Sequence, residues 1–126
     1  MLNRASVIPT LPAVDLKRAR KFYEEKLGLK VVKEDPSPAI TLEAGNGTSL
    51  YIYQRGATKA DHTVAEFDVD DVEAEVKALK AKGVKFEEYD IPSMGIKTVN
   101  SIAVMDGHKG AWFKDTEGNI LAISSM

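Results

Sequence analysis

The chain has 126 residues, 44% hydrophobic and 29% charged, a length and balance that suit one globular domain with its own core. It contains no cysteine, which excludes disulfides, thiolate zinc sites and a cysteine nucleophile, and points to a reducing compartment, the cytoplasm. A net charge of −2 with both signs mixed leaves no basic stripe for nucleic acid, no apolar run is long enough to span a membrane, and the stretch from Met1 to Ala5 lacks a signal-peptide pattern.

An alternating stretch around Leu11 leads to Asp15, after which Leu16, Ala19, Tyr23 and Leu27 recur with helical spacing and make one apolar face. Asp15 can accept hydrogen bonds from the free N–H groups of the first turn, and Gly28 can take the left-handed conformation just past the last. The basic run from Lys17 to Lys21 falls on the solvated side, where Arg20–Glu24 and Lys21–Glu25 form i,i+4 pairs. Strands are expected at Lys30–Glu34, Ala39–Glu43 and Thr48–Gln54, with Val31, Val32, Ile40, Leu42, Leu50 and Ile52 giving them β character. Residues 55–61 have no periodicity and read as a linker.

The second half repeats the first. Phe67 to Phe86 follows the same order as Leu11 to Val31: alternating strand, a capping Asp70 or Asp71, a helix with Val72, Val76 and Leu79 inward, Gly83, and a short strand at Val84–Glu88. Strands at Ala111–Lys114 and Asn119–Ser124 complete the unit, joined by a turn at Asp115–Asn119 that parallels Glu43–Gly47. Gly28 maps onto Gly83 and Gly47 onto Gly118, so the second half carries about 16 more residues, near 90–106. They include Ile91 to Ile96 and a strand-like Lys97–Met105, and read equally as a lid or as an added edge strand. The fold class expected is α+β: a single domain over 1–126, with βαβββ modules at 4–54 and 62–126.

This duplicated order resembles the vicinal oxygen chelate superfamily, which includes glyoxalase I, extradiol dioxygenases, and fosfomycin- and bleomycin-resistance proteins. The matching pieces are Leu11 to Leu16, Lys21-Phe22-Tyr23 with Leu27-Gly28-Leu29, Phe67 to Val72, Lys82-Gly83-Val84, and Trp112 to Asn119. The last is similar to the family's F-x-D-P-x-G-N turn, with Thr116 in place of proline. The resemblance implies curved mixed sheets around a cleft, with helices on the convex side. If Leu11, Leu50, Ile52, Phe67, Val69, Phe113, Leu121 and Ile123 pack under the helices, alternation turns Ile8, Thr10, Tyr51, Tyr53, Val64, Glu66, Trp112, Ile120 and Ala122 toward the cleft.

Metal-dependent members hold a divalent ion with His and Glu from the first and last strands of each half. By the resemblance those positions here are Ile8, Tyr51, Val64 and Ala122, of which only Tyr51 has a side-chain donor. The two histidines, His62 at a strand mouth and His108 in a turn sequence, stand outside any ligand cluster. The expectation is therefore no metal and no cofactor, and a small organic ligand contacted by Thr10, Tyr51, Tyr53, Glu66, Met94 and Trp112. Glu66 in a dry cleft would be the one candidate general base. The alternatives are an enzyme, acting through Glu66 or Tyr51 or through an unrecognised metal site, and an interaction domain with a vestigial cleft. Exposed sheet edges further imply a homodimer.

Overall fold

The computed structural model describes residues 1–125, which fall into two compact units, Met1–Thr58 and the remainder from Lys59. The first unit opens with a 3-10 turn at Leu2–Arg4, then β1 (Thr10–Ala13), α1 (Leu16–Lys21), β2 (Lys30–Asp35), β3 (Ala39–Glu43) and β4 (Ser49–Gln54). Its sheet runs β1-β4-β3-β2, with β1 parallel to β4 and the other pairs antiparallel. Asp15 caps α1 by accepting the Arg18 N–H at 3.1 Å, and Arg20 Nε meets Glu24 Oε1 at 3.1 Å. The helix does not stay α-helical to its end. Residues Phe22–Lys26 form a π-helical turn that still buries Tyr23 beside Ala19. Leu50 and Ile52 of β4 are buried with Leu11 and Leu42, while Tyr51 and Tyr53 alternate to the opposite, half-buried face.

The second unit comprises β5 (Thr63–Asp68), α2 (Val72–Ala81), β6 (Asp90–Ile91), β7 (Ile96–Val99), β8 (Ile102–Met105), β9 (His108–Lys114) and β10 (Ile120–Ser125). Its sheet runs β5-β10-β9-β8-β7-β6, with β5 parallel to β10. Asp71, not Asp70, caps α2, accepting the Ala74 N–H at 3.1 Å. Val72, Val76 and Leu79 of α2 are buried with Phe113, Leu121 and Ile123, and the helix packs on β9 and β10. Gly28 and Gly83 follow their helices with φ of 74° and 90°, the conformation in which a β-carbon is strained.

Four local expectations are corrected. Val84–Glu88 is not a strand; it holds one bridge, Phe86 to Phe113, and the Glu87 N–H donates to Trp112 O at 2.8 Å. β8 takes His108, Lys109 and Gly110 of that edge of β9, so the segment meets only the short stretch beyond Gly110. Lys97–Met105 is two strands, since Asn100 and Ser101 both take positive φ (52° and 77°) and reverse the chain. His108 opens β9 and does not sit in a turn; the reversal is made by Asp106 and Gly107 just before it. Finally, Thr63 pairs with Ile120 and Ala65 with Leu121, so a bulge leaves Val64 without a register partner and breaks the expected alternation there. The added residues thus extend the sheet edge as β6, β7 and β8, with a 3-10 turn at Pro92–Met94.

Candidate functional site

The register of the second sheet builds the site. Trp112 stands beside Ala122, and Ala122 beside Glu66; Lys114 stands beside Ile120, and Ile120 beside Thr63. Residues directly paired across strands share a face. Phe113, Leu121 and Ile123 alternate into the core, so Trp112, Lys114 and Ile120 face away from α2.

On that face lies a cavity of about 650 Å³, within the usual range for small-molecule pockets. Trp112, Lys114, Ile120 and Thr63 form its floor. Glu87 and Tyr89 come from the irregular segment after α2, and Ile91, Met94 and Ile96 from the added edge. Ala60, Asp61 and His62 complete the lining just ahead of β5. The Tyr89 and Trp112 rings meet edge to face, centroids 5.5 Å apart and planes at 68°, a favourable aromatic geometry.

Four polar side chains of the cavity are paired. Lys114 Nζ lies 3.4 Å from Glu87 Oε1, and His62 Nδ1 lies 2.9 Å from Asp61 Oδ1. The bond from His62 holds the Asp61 carboxyl below its ordinary range. Burial pushes the Tyr89 phenol up, and the nearby Glu87 charge adds to that. The wall is thus mainly aromatic and aliphatic, with the Lys114–Glu87 ion pair and the Asp61–His62 hydrogen bond as its polar part.

Of the residues expected to bind ligand, Trp112 and Met94 line this cavity. Glu66 shares the cross-strand row of Trp112 but is solvent-exposed and outside the lining, so the dry environment expected for it is corrected. Thr10, Tyr51 and Tyr53 come together in the first unit, where Thr10 pairs with Tyr51 and all three line a depression of about 360 Å³ with Ser37, Pro38 and Gln54. Sequence reasoning missed Tyr89, Glu87, Lys114, Ile91 and Ile96. Lys114 was within reach, since it alternates with Phe113 on the same strand as Trp112; Tyr89 lies in irregular chain where no period applies.

At the four positions matching metal ligands, Ile8 is exposed ahead of β1, Val64 sits in the bulge, Ala122 is 2% exposed, and Tyr51 is half-buried on β4. Three of these side chains have no donor atom, and among the described residues no group of three or more His, Asp or Glu stands close enough to hold an ion. These side chains do not fit the family's metal. Among the described residues no helix is long and apolar enough to cross a membrane.

Comparison with known proteins agrees with this fold. Residues 6–123 match the family described as Glyoxalase/Bleomycin resistance protein/Dioxygenase superfamily. A search of curated proteins gives no significant match. Among solved structures, a member of that superfamily from Sphaerobacter thermophilus DSM 20745 is 22% identical with a TM-score of 0.76, covering 99% of this chain and 100% of its own. Lactoylglutathione lyase from Agrobacterium tumefaciens is 20% identical with a TM-score of 0.71, covering 97% and 93%. TnmS3, an antibiotic binding protein from Streptomyces sp. CB03234, is 21% identical with a TM-score of 0.69, covering 97% of each chain.

Proposed function

Since the chain belongs to the glyoxalase/bleomycin resistance protein/dioxygenase superfamily, we propose that it is a binding protein for a small organic molecule, held against Trp112 in its second unit without a metal ion. The carrying observation is the cavity of about 650 Å³ whose wall joins Trp112 and Tyr89 to Ile91, Met94, Ile96 and Ile120. Such a wall favours a flat, largely apolar ligand through burial and ring contact, while Thr63, the Lys114–Glu87 ion pair and the hydrogen-bonded Asp61 and His62 supply orientation. The name of TnmS3 as an antibiotic binding protein is in keeping with this reading. Without donors at Ile8, Val64 and Ala122, chemistry routed through a bound cation has no support from this chain's own residues. Thr10, Tyr51 and Tyr53 provide a second, smaller contact surface on the first unit, and Glu66 a charge on the same sheet face as Trp112.

Trp112 is the only tryptophan, so its fluorescence reports on the pocket directly. Titration with a panel of planar aromatic compounds should quench or shift its emission saturably, and Ile120→Phe, which adds bulk at the floor without adding a second indole, should weaken or abolish the effect. A panel that raises the melting temperature while leaving Trp112 emission unchanged would place the ligand elsewhere. Each sheet ends in strands with an open edge, which favours a homodimer; a monomer in sedimentation would contradict that part. The absence of cysteine suits a cytoplasmic setting.

A further inference from the structure

We propose that Glu88, which does not line the pocket, is a positioning residue that holds the pocket's aromatic wall through Thr98 and Tyr89. Glu87 and Tyr89 both line the cavity, and the residue between them in an extended segment points the other way. There the two carboxylate oxygens of Glu88 accept the Ser101 N–H at 3.1 and 3.0 Å. Ser101 is 3% exposed and, with Asn100, carries the positive φ of the β7–β8 reversal. Non-glycine residues hold that conformation only where their surroundings enforce it.

Hydrogen bonding by the Thr98 hydroxyl also holds this carboxyl below its ordinary range. Thr98 Oγ1 in turn accepts the Tyr89 N–H at 2.8 Å and lies 3.3 Å from Tyr89 O, and the Thr98 N–H donates to Tyr89 O at 2.8 Å. The single hydroxyl proton is shared between the Glu88 carboxylate and Tyr89 O while the oxygen accepts, so Thr98 stands between Glu88 and Tyr89. The Tyr89–Thr98 pair closes the base of the loop that carries Ile91, Met94 and Ile96 over the cavity, and the Tyr89 ring abuts Trp112. One carboxylate thereby pins both the turn behind the wall and the base of the wall itself. A charged acceptor suits this place, because its bonds to N–H and O–H are stronger than those of a neutral one.

A purely structural role, holding the strained turn, makes a different forecast. Glycine takes positive φ freely, so Ser101→Gly should relieve the strain of the turn and offset part of the loss of Glu88, although the N–H at 101 still lacks its acceptor. The relay through Thr98 would still be broken. The inference rests on the pocket reading, but it is tested in ligand-free protein, so failure to find a ligand does not decide it.

The experiment records Trp112 emission, acrylamide quenching and melting temperature for Glu88→Ala, Thr98→Val and the double variant Glu88→Ala/Ser101→Gly. Glu88→Ala and Thr98→Val should both redden the emission and raise the quenching constant about twofold, as expected for local opening well below the global transition. The double variant should regain melting temperature without regaining the Trp112 signal. Should Glu88→Ala not fold, Glu88→Gln, which keeps one acceptor oxygen, should show a smaller shift in the same direction. Wild-type emission and quenching in the folded Glu88 variant, or recovery of the Trp112 signal along with stability in the double variant, would overturn the proposal.

Discussion

Replacing Asp115 by alanine should cost the protein a large part of its stability, and the magnitude follows from three hydrogen bonds. Asp115 is 7% exposed and opens the turn that joins β9, bearing Trp112, to β10, bearing Ile120. Its Oδ1 accepts the N–H groups of Glu117 and Asn119 at 2.8 and 2.9 Å, and its Oδ2 accepts the Asn119 side-chain Nδ2–H at 2.9 Å. Water can reach the Glu117 N–H, but Asn119 is 2% exposed, so its two donors lose these acceptors in the dry. At about 1–3 kcal/mol for each buried unsatisfied group, the expected loss is about 3–4 kcal/mol. Set against roughly 2.1 cal/mol/K per residue for the entropy of unfolding, that lowers Tm by about 12 °C. Asparagine is the informative control. It keeps one oxygen for the backbone donors but turns an amide toward Asn119, whose own amide can flip to accept it, so the cost falls to about 1 kcal/mol, or ~4 °C. Thermal unfolding followed by circular dichroism measures both. An alanine variant within about 3 °C of wild type would refute the reasoning, since water would then be replacing bonds taken to be dry.

Two further outcomes are expected. Burial raises the Tyr89 phenol above its ordinary value of 10.0, so the folded state favours the neutral ring. That contribution to stability is whole below pH 10 and is lost as pH rises from there toward the folded value. Because a phenolate so close to Trp112 quenches it, Trp112 fluorescence should fall with a midpoint above that of a free tyrosine, and Tyr89→Phe should remove the step; a step unchanged in that variant would assign it to another tyrosine. Glu66→Gln should leave both Tm and ligand-induced Trp112 quenching close to wild type, because Glu66 is solvent-exposed and outside the cavity lining. A tenfold loss of affinity would restore Glu66 to the site.

Much of the fold was legible because the two halves repeat one local grammar. Asp15 and Asp71 cap, and Gly28 and Gly83 terminate, by mechanisms that need only nearest neighbours along the chain. Alternation also placed Tyr51, Tyr53 and Trp112 on the face opposite their buried neighbours Leu50, Ile52, Ala111 and Phe113. What escaped depended on pairing between distant segments. The Val64 bulge lies in the register with β10, and the segment 84–88 makes one bridge on the edge of β9 that β8 occupies farther along. Tyr89 was invisible for the same reason, as its place in the wall is set by Thr98 and Trp112. The Asp106-Gly107 pair carried a local signal, a dipeptide typical of two-residue hairpin turns, and the turn was legible there although β9 begins sooner after it than expected, at His108. Asn100-Ser101 makes the same reversal with a weaker one.

The central claim is that ligand binds beside Trp112 with no metal. It is tested most directly by titrating metal-stripped protein with the best compound from the aromatic panel and following Trp112 emission, with chelator present and then with zinc, nickel, manganese or iron(II) added. The account predicts the same saturable change and the same affinity in every case. Binding that appears only when one of the ions is restored, with about one ion retained per chain, would contradict it.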